Sequence, residues 1–379
     1  MAEDTNTLDG KRIVAKFGTK LLTGGGASLD DTIMRDLVRQ VAALTSAGAQ
    51  VAIVTSGAVA AGRDRLGDSI ADASIEERQV LAAIGQSHLM ERYDTLLREH
   101  GLIAAQALLT RADLSDRGGY LNARNTLDSL LRAGVVPVIN ENDVVADEEF
   151  RGGAFGENDS LSALVANLLD ADLLVLLSDV EGLFDRDPRG HTDAVLIREV
   201  EDIDMAYRAA GANSAGAPGA SRGGMPAKIA AAQRAMQAGT TVVIAHGQQT
   251  DALLRVARGD ALGTRFTPRV TRLESRKRWL LSGLTAGGEI VIDTGAAGAL
   301  RRSGRSLLAA GIVSTQGTFS RGDIVEVRDP DGHRMAVGVS NYDAADVDRI
   351  QGKRSDQIMA ILGYHYGDEV IHRTNMALL

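Results

Sequence analysis

Alternation of short apolar runs with amphipathic segments is the feature that most limits how the first 265 residues can fold. Each apolar run has the length of one strand, and each amphipathic segment repeats its apolar positions at helical spacing. Strands that alternate with helices need crossover connections, which produce a mostly parallel sheet with helices on both faces. The predicted strands are 13–15, 51–55, 102–109, 135–140, 173–178 and 240–245, and the predicted helices are 33–44, 76–99, 121–133, 159–169 and 227–238.

The pattern changes in the last third of the chain. The alternation stops around residues 266–278, and from residue 287 onward short alternating runs are divided by turns. The Asp-Pro-Asp-Gly sequence at 329–332 lies between two such runs and predicts a hairpin. A chain of 379 residues is also longer than one core usually supports. We therefore expect an α/β domain at residues 1–268 and a small, mainly β domain at residues 275–379.

The composition excludes several classes of protein. The chain has no cysteine, which excludes a disulfide scaffold and a thiol nucleophile, and its seven histidines show no metal-ligand spacing. We therefore predict no metal site built from protein ligands.

The N-terminal residues are polar and acidic, and the apolar runs are too short to cross a bilayer, so a cytoplasmic enzyme is expected. Residues 1–274 carry 28 Lys and Arg against 38 Asp and Glu, a balance that disfavours non-specific binding of nucleic acid.

The carboxyl ends of the predicted strands are the places to look for a ligand, because parallel α/β sheets bind ligands there. The first strand runs directly into Lys16, and a buried ammonium is costly unless an anion pairs with it. Lys16 is therefore either solvated or aimed at a negatively charged ligand. Gly18 comes two residues later. Further polar residues at strand ends are Ser56, Asn140, Asp143, Ser178 and Asp179.

Two predicted helices begin with sequences suited to a charged ligand. Asn158 and Asp159 open one helix, and the segment Arg222-Gly-Gly-Met-Pro-Ala-Lys228 opens another. Glycines before a helix expose its first N–H groups, Pro226 suits the first helical position, and Lys228 adds a full positive charge. The chain contains no GxxxxGK[ST] sequence and therefore no P-loop. These groups suit a nucleoside triphosphate together with a second anionic substrate.

Phosphoryl transfer fits this set of residues. It needs positioning and charge neutralisation more than covalent help from the protein. If the acceptor is a carboxylate, it is already ionised at neutral pH, so no general base is required. The remaining obstacle is repulsion between two anions, which two lysines can offset. Asp159 would then hold the lysines in place.

The motifs resemble those of the glutamate 5-kinases in the amino acid kinase family, and the matches span nearly the whole chain in family order. Three of them together, VTSGA, VINEND and GENDSLSA, are highly specific. The remaining matches are VAKFGTK, LLTRAD, YLNARNTL, LLSDVEGLFDRDPR, GGMPAK, ESRKRW and ILGYHYG. The resemblance implies the amino acid kinase fold and transfer of the ATP γ-phosphoryl group to the side-chain carboxylate of glutamate, the first step of proline synthesis. It also implies Mg²⁺ as the cofactor, feedback inhibition by proline and a homo-oligomer.

The resemblance also implies a role for each matching residue. Lys16 and Lys228 correspond to the two phosphate-contacting lysines, and Asp159 corresponds to the aspartate that organises them. Ser56, Asp143 and Asn158 match the glutamate-binding residues, and Asn140 is a plausible neighbour of the substrate. The nucleotide-binding positions are Lys16, Gly18, Ser178, Asp179, Arg222, Gly223, Gly224, Met225, Pro226, Ala227 and Lys228.

Three positions depart from the family pattern. Lys20 stands where many members have Ser or Thr, and an extra cation there either helps to hold phosphate or is solvated. Arg222 and Pro226 replace residues of the family's second glycine segment, so the hydroxyl groups of that segment are missing. This departure argues against a hydroxyl contact from that segment to phosphate.

Two alternatives stay open from the sequence. The first is a kinase of the same fold that acts on N-acetylglutamate, aspartate or a nucleotide monophosphate. The second is an RNA-binding protein on a kinase scaffold, since the C-terminal region resembles the PUA domain, a small β fold found in RNA-modifying proteins. Residues 275–379 carry 13 Lys and Arg against 12 Asp and Glu and few aromatic residues, so RNA binding is possible but not favoured.

Overall fold

A computed structural model describes residues 8–67, 74–146, 157–214, 224–269, 271, 274, 287–303 and 305–379. The chain divides into two compact units. The first consists of residues 1–114 and 126–270, and the second of residues 115–125 and 271–379. None of the helices in these described stretches combines the length and apolar character that crossing a bilayer requires.

Strands and helices alternate through the first unit, as the sequence predicts. Its strands are β1 (Arg12–Phe17), β2 (Gln50–Thr55), β3 (Ala104–Leu109), β4 (Val136–Glu141), β5 (Leu173–Ser178), β6 (Glu199–Val200), β7 (Thr241–His246) and β8 (Thr264–Phe266). The helices up to residue 270 are α1 (Thr19–Leu22), α2 (Asp31–Ser46), α3 (Ala58–Leu66), α4 (Ile75–Arg98), α5 (Arg111–Ser115), α6 (Arg117–Arg132), α7 (Glu157–Leu168), α8 (Ile203–Ser214), α9 (Met225–Gln237) and α10 (Ala252–Arg258).

The eight strands form one sheet in the order β3-β4-β2-β1-β5-β7-β8-β6. Every neighbouring pair is parallel except β7 with β8, which is antiparallel. Strands β4 and β5 are buried along their whole length, which explains why each begins with a continuous apolar run before its polar end. The prediction of a mostly parallel sheet between helices is therefore confirmed.

One segment differs from what its sequence indicates. The small, glycine-rich sequence of residues 211–226 predicts a loop, but helix α8 extends to Ser214 and helix α9 already begins at Met225. Ala206 and Ala210 are spaced one helical turn apart and are both fully buried, so packing of this face stabilises α8. Residues 215–223 of the segment lie outside the described residues.

Helices α3 and α4 approach so closely that their backbones touch through two glycines. A Cβ atom added at Gly85 would lie 1.8 Å from the carbonyl oxygen of Ala58, and one added at Gly62 would lie 2.1 Å from that of Leu81. Both contacts are to backbone atoms, which cannot rotate away as a side chain can. The glycines therefore fix α4 against the first turn of α3.

We expect Gly85→Ala to lower the free energy of unfolding by about 3 kcal/mol, because overpacking outweighs the gain in helix propensity. Thermal unfolding followed by circular dichroism measures the change. Gly298→Ala is the matched control, since the methyl group added there meets only the end of the Arg302 side chain. Equal melting temperatures for Gly85→Ala and the wild type would contradict the close packing of α3 and α4.

The strands of the second unit are β9 (Gly288–Ile292), β10 (Leu307–Leu308), β11 (Ile312–Gly317), β12 (Ile324–Arg328), β13 (Arg334–Val339), β14 (Glu369–Ile371) and β15 (Met376–Leu378). Its helices after residue 270 include α11 (Thr294–Ser303), α12 (Ala344–Ile350) and α13 (Ile358–Leu362). Five of the strands form a mainly antiparallel sheet in the order β11-β9-β12-β13-β15, in which only β9 and β12 pair in parallel. The β12–β13 hairpin predicted at Asp-Pro-Asp-Gly is confirmed.

The β12–β13 turn brings Asp329, Asp331 and His333 together, with one possible ligand atom of each within 4.8 Å of the others. The sequence spacing of the histidines did not indicate this cluster. The Asp329 carboxylate accepts hydrogen bonds from the backbone N–H groups of Asp331 and His333, at 3.1 and 2.9 Å. These are the contacts that an aspartate makes to stabilise a turn.

Residues 115–125 belong to the second unit although they precede most of the first in sequence. Leu121 is buried there in a small apolar cluster with Ile324, Val337, Val339 and Ala377. The ion pair between Arg117 and Asp323, at 2.6 Å, lies in the same unit. The second unit is thus built from two separate stretches of the chain, which the sequence pattern did not indicate.

Candidate active site

Four of the predicted site residues lie at the carboxyl edge of four adjacent strands, β4, β2, β1 and β5. Lys16 is the next-to-last residue of β1, and Ser56 directly follows β2. Asn140 is the next-to-last residue of β4, and Ser178 is the last residue of β5. Because these strands are parallel and in register, their ends meet at one edge of the sheet.

Two lysines from different elements converge on one buried aspartate. Lys16 on β1 places its Nζ 2.6 Å from Oδ1 of Asp159, which lies on α7. Lys228 on α9 places its Nζ 3.1 Å from Oδ2 of the same carboxylate. The three residues are 6%, 1% and 7% exposed. The predicted grouping of Lys16, Asp159 and Lys228 is therefore present in the fold.

The charges of these three residues stabilise one another. Burial acts to raise the pKa of Asp159, but the positive charges of Lys16 and Lys228 outweigh it and hold that pKa below its usual value. The carboxylate therefore remains ionised at neutral pH. One carboxylate cannot neutralise two ammonium groups, so the cluster keeps a net charge of about +1 that can attract a phosphate group.

Gly18 lies beside the Lys16 ammonium at the end of β1. A Cβ atom added at Gly18 would lie 3.4 Å from the Lys16 Nζ, which is an ordinary van der Waals distance. The space at this position would therefore admit a methyl group without displacing Lys16.

Helix α7 connects the lysine cluster to the loop after β2. Asn158 precedes Asp159, and its Nδ2 donates a hydrogen bond of 2.9 Å to Oγ of Ser56. Two consecutive residues at the start of one helix thus hold both the ammonium groups and the Ser56 hydroxyl. The structure thus brings together five predicted residues from β1, α7, α9 and the β2–α3 connection.

The segment at the end of β4 is held by helix α4. The Asn140 side chain is buried and donates from Nδ2 to Oε1 of Gln86 at 2.8 Å. The main-chain carbonyl of Asp143 accepts a hydrogen bond of 3.1 Å from Nε2 of Gln79, and the carbonyl of Ala146 accepts from the same atom at 3.4 Å. The position of Asp143 is therefore fixed through its backbone.

Ser178 and Asp179 lie at the carboxyl end of β5, on the other side of β1 from β2 and β4. Ser178 is buried, and its Oγ accepts a hydrogen bond of 3.3 Å from the backbone N–H of Val180. The Asp179 carboxylate is about half exposed and lies 3.5 Å from Nζ of Lys20. Lys20 is thus paired with a carboxylate of the predicted nucleotide segment.

The second glycine segment is described only from Gly224 onward, so the predictions for Arg222 and Gly223 lie outside the described residues. Gly224 is the N-cap of α9, and Met225, Pro226 and Ala227 form its first turn before Lys228. Pro226 is thus the second helical residue and not the first as predicted. The difference arises because Met225 already has helical geometry, and a proline near the helix start still sacrifices no hydrogen bond.

Gln79 and Gln86 are the residues of this edge that the sequence analysis missed. They lie seven residues apart on α4 and therefore on one face of the helix. Both side chains hydrogen-bond to β4 or to the residues that follow it. The only sequence signal was two glutamines at helical spacing, one of them next to Gly85. Such a pair of polar residues cannot be distinguished from the solvated face of a helix.

Models of two protein families match separate stretches of the chain. A model of the amino acid kinase family matches residues 11–246. A model of the PUA domain matches residues 288–362, within the mainly β unit. The first match includes strands β1 to β7 and the second includes β9 to β13, whereas β8, β14 and β15 lie outside both matches.

Three curated enzymes named glutamate 5-kinase are similar to this chain over almost its full length. The enzyme from Dehalococcoides mccartyi is 48% identical over 97% of this chain and 98% of its own. That from Shewanella halifaxensis is 48% identical, with the same coverage, and that from Herpetosiphon aurantiacus is 49% identical over 96% of this chain and 97% of its own.

Among solved structures, isopentenyl phosphate kinase from T. acidophilum in a product complex is similar to this chain with a TM-score of 0.43 and 15% sequence identity. The match covers 68% of this chain and 99% of the other.

Proposed function

This chain belongs to the amino acid kinase family, and from that premise we propose that it is a glutamate 5-kinase: it transfers the γ-phosphoryl group of ATP to the side-chain carboxylate of L-glutamate. The product would be L-glutamyl 5-phosphate, in the first step of proline biosynthesis. The observation that carries the proposal is the convergence of two buried lysines on Asp159 at the carboxyl edge of the sheet. The full-length similarity to enzymes of that name supports the choice of substrate.

The two lysines suit transfer between two anions. The glutamate side-chain carboxylate is ionised at neutral pH, so it can attack without a general base. Lys16 would contact the phosphates of ATP, and Lys228 would stabilise the charge on the transferring phosphoryl group. Asp159 orients both ammonium groups, because each of its oxygens contacts one of them. Its role is positioning and not proton transfer.

The two substrates would occupy opposite sides of this lysine cluster. We assign glutamate to Ser56, Asn140, Asp143 and Asn158, which lie at or after β2 and β4 or at the start of α7. We assign ATP to Gly18, Ser178, Asp179 and the segment from Arg222 to Lys228. The γ-phosphoryl group would then lie between the sides, next to the ammonium groups of Lys16 and Lys228.

A kinase that uses ATP requires a divalent metal, and we propose Mg²⁺ here. Both oxygens of Asp159 already contact ammonium groups, so this carboxylate is a poor ligand for a metal. The ATP phosphates and water would therefore supply the ligands of the ion, in keeping with the expectation that the protein builds no metal site of its own. When bound, the ion neutralises part of the phosphate charge.

Four further properties are proposed from the resemblance to glutamate 5-kinases. They are a cytoplasmic location, feedback inhibition by proline, a homo-oligomeric assembly, and little or no RNA binding by the C-terminal unit. A proline titration of the activity, light scattering after size-exclusion chromatography and a filter-binding titration with structured RNA test the last three.

The test of the proposed function is ADP release that depends on L-glutamate, with the acyl phosphate trapped by hydroxylamine as the hydroxamate. We expect activity with L-glutamate and much less with aspartate, N-acetylglutamate or a nucleoside monophosphate. Equal or greater activity with any of these would assign the chain to another specificity within the family.

We expect Asp143→Asn to raise KM for glutamate by roughly tenfold to a hundredfold with a smaller effect on kcat, because an anionic partner of the substrate ammonium is lost. Initial rates at varied glutamate and ATP measure both constants. Asp179→Asn is the matched comparison, since it makes the same change on the ATP side and should raise KM for ATP. A raised KM for ATP in Asp143→Asn, with an unchanged KM for glutamate, would reverse the assignment of the two sides.

A further inference from the structure

Three buried polar atoms at the glutamate side have no hydrogen-bond partner within the part of the chain that the structure describes. They are Nε2 of Gln86, Oδ1 of Asn140 and Oδ1 of Asn158. Each belongs to an amide whose other polar atom is bonded at 2.8 or 2.9 Å. Buried polar groups are nearly always satisfied, so a donor and two acceptors left over at one edge indicate a ligand that supplies their partners.

Gln86 is held in place independently of any ligand. Its neighbour Gly85 contacts the backbone of Ala58 at the start of α3, which fixes this turn of α4. Two helical turns earlier, Gln79 bonds to the carbonyls of Asp143 and Ala146, so α4 is also tied to the segment after β4. The Gln86 amide is therefore preorganised next to Asn140, and a ligand would not have to order it.

The leftover atoms match the main chain of an amino acid. Gln86 Nε2 can donate to a carboxylate, and Asn140 Oδ1 can accept from an ammonium group. The two amides are hydrogen-bonded to each other, so their remaining atoms are close enough to meet the two groups carried by one α-carbon. A phosphate ester would satisfy only the donor.

We propose that Gln86 binds the substrate directly, its Nε2 donating a hydrogen bond to the α-carboxylate of glutamate while Asn140 accepts from the α-ammonium group. This inference rests on the proposed function and deepens it by assigning recognition of the amino-acid end to α4. Asp143 supplies the charge that balances the ammonium group. Gln86 thus selects substrates that carry an α-carboxylate.

The experiment compares wild type with Gln86→Leu, which keeps the approximate size of the side chain but removes the donor. We expect KM for L-glutamate to rise roughly tenfold to a hundredfold, with kcat and KM for ATP within about threefold. Ser87→Ala is the matched control, because Ser87 is the next residue of α4 and is exposed. It should leave all three constants within about twofold.

Two competitive inhibitors separate contact with the substrate from an effect on the fold. Glutarate lacks the ammonium group and 4-aminobutyrate lacks the α-carboxylate. In Gln86→Leu we expect the Ki of glutarate to rise as much as KM for glutamate, and the Ki of 4-aminobutyrate to stay within about twofold. Equal increases in both Ki values, or an unchanged KM for glutamate, would overturn the proposal.

Gln86→Glu keeps the test decisive if the leucine variant folds poorly. A glutamate can still accept the hydrogen bond from Asn140 Nδ2, so a purely structural role would be rescued by it. In the proposed role its carboxylate repels the α-carboxylate, so KM for glutamate should rise at least as far as in Gln86→Leu. Rescue by Gln86→Glu would overturn the proposal. A wild-type enzyme without glutamate-dependent activity would instead refute the proposed function.

Discussion

Replacing Lys228 by alanine is expected to lower kcat a hundredfold or more and to leave KM for glutamate within about threefold. The Lys228 charge matters most while the phosphoryl group is in transfer, and an interaction made mainly in the transition state appears in kcat. The loss corresponds to about 3 kcal/mol of transition-state stabilisation. Steady-state rates with both substrates varied measure it.

The control for Lys228→Ala is Lys11→Ala. Lys11 immediately precedes β1, at the end of that strand opposite to Lys16, and its loss should leave kcat within about twofold. Near-normal turnover in Lys228→Ala would remove this lysine from the mechanism. A large rise in KM for ATP at constant kcat would show instead that Lys228 binds the nucleotide equally well before and during transfer.

Asp159→Asn is expected to affect both stability and activity. It leaves two buried ammonium groups without their carboxylate, and breaking a buried ion pair in this way costs about 3–5 kcal/mol of unfolding free energy. Activity should also fall, because neither lysine is held in place. Urea unfolding measures the stability, and the coupled ADP assay measures turnover.

The stability difference between Asp159→Asn and wild type should depend on pH in a defined direction. The pKa of Asp159 is lower in the folded state than in the unfolded state, so its ionised form stabilises the fold at pH values above the unfolded pKa. That contribution is lost as the pH falls through the folded pKa. The difference should therefore be largest near neutral pH and shrink in strong acid.

Asp251→Asn serves as the stability control for Asp159→Asn. Asp251 is exposed and pairs with the exposed Arg39, so its replacement should change the unfolding free energy by less than about 1 kcal/mol. Asparagine also tolerates the left-handed backbone at this position. If Asp159→Asn were no less stable than Asp251→Asn at neutral pH, the lysines would not depend on Asp159.

The central sheet and the lysine cluster could be predicted because their signals are local and strong. Strands buried on both faces read as continuous apolar runs, and the polar residues that end them stand out. Lys16 and Asp159 are far apart in sequence, yet the rule that ligands bind at the carboxyl ends of parallel strands brings them together. Lys228 follows from the helix that starts after a glycine segment.

The remaining parts depend on packing that leaves little trace in a single sequence. Strand β8 has only three residues, too few to show a period, and it pairs antiparallel with β7. The contact between Gln86 and Asn140 joins a helix to a strand and has no local pattern. From the sequence alone, Gly85 would be read as a residue that destabilises its helix. The structure shows that the backbone of Ala58 leaves no room for a side chain there.

The second unit, assembled from residues 115–125 and 271–379, has a consequence for the order in which the protein folds during synthesis. Leu121 leaves the ribosome long before the strands that carry Ile324 and Val337, so its apolar side chain has no native cover while the intervening residues are made. Closing so long a loop is a slow step. If the ribosome paused before residue 324, Leu121 on helix α6 would stay exposed and chaperones could bind it. Once β12 and β13 are made, Ile324 and Val337 would bury this side chain.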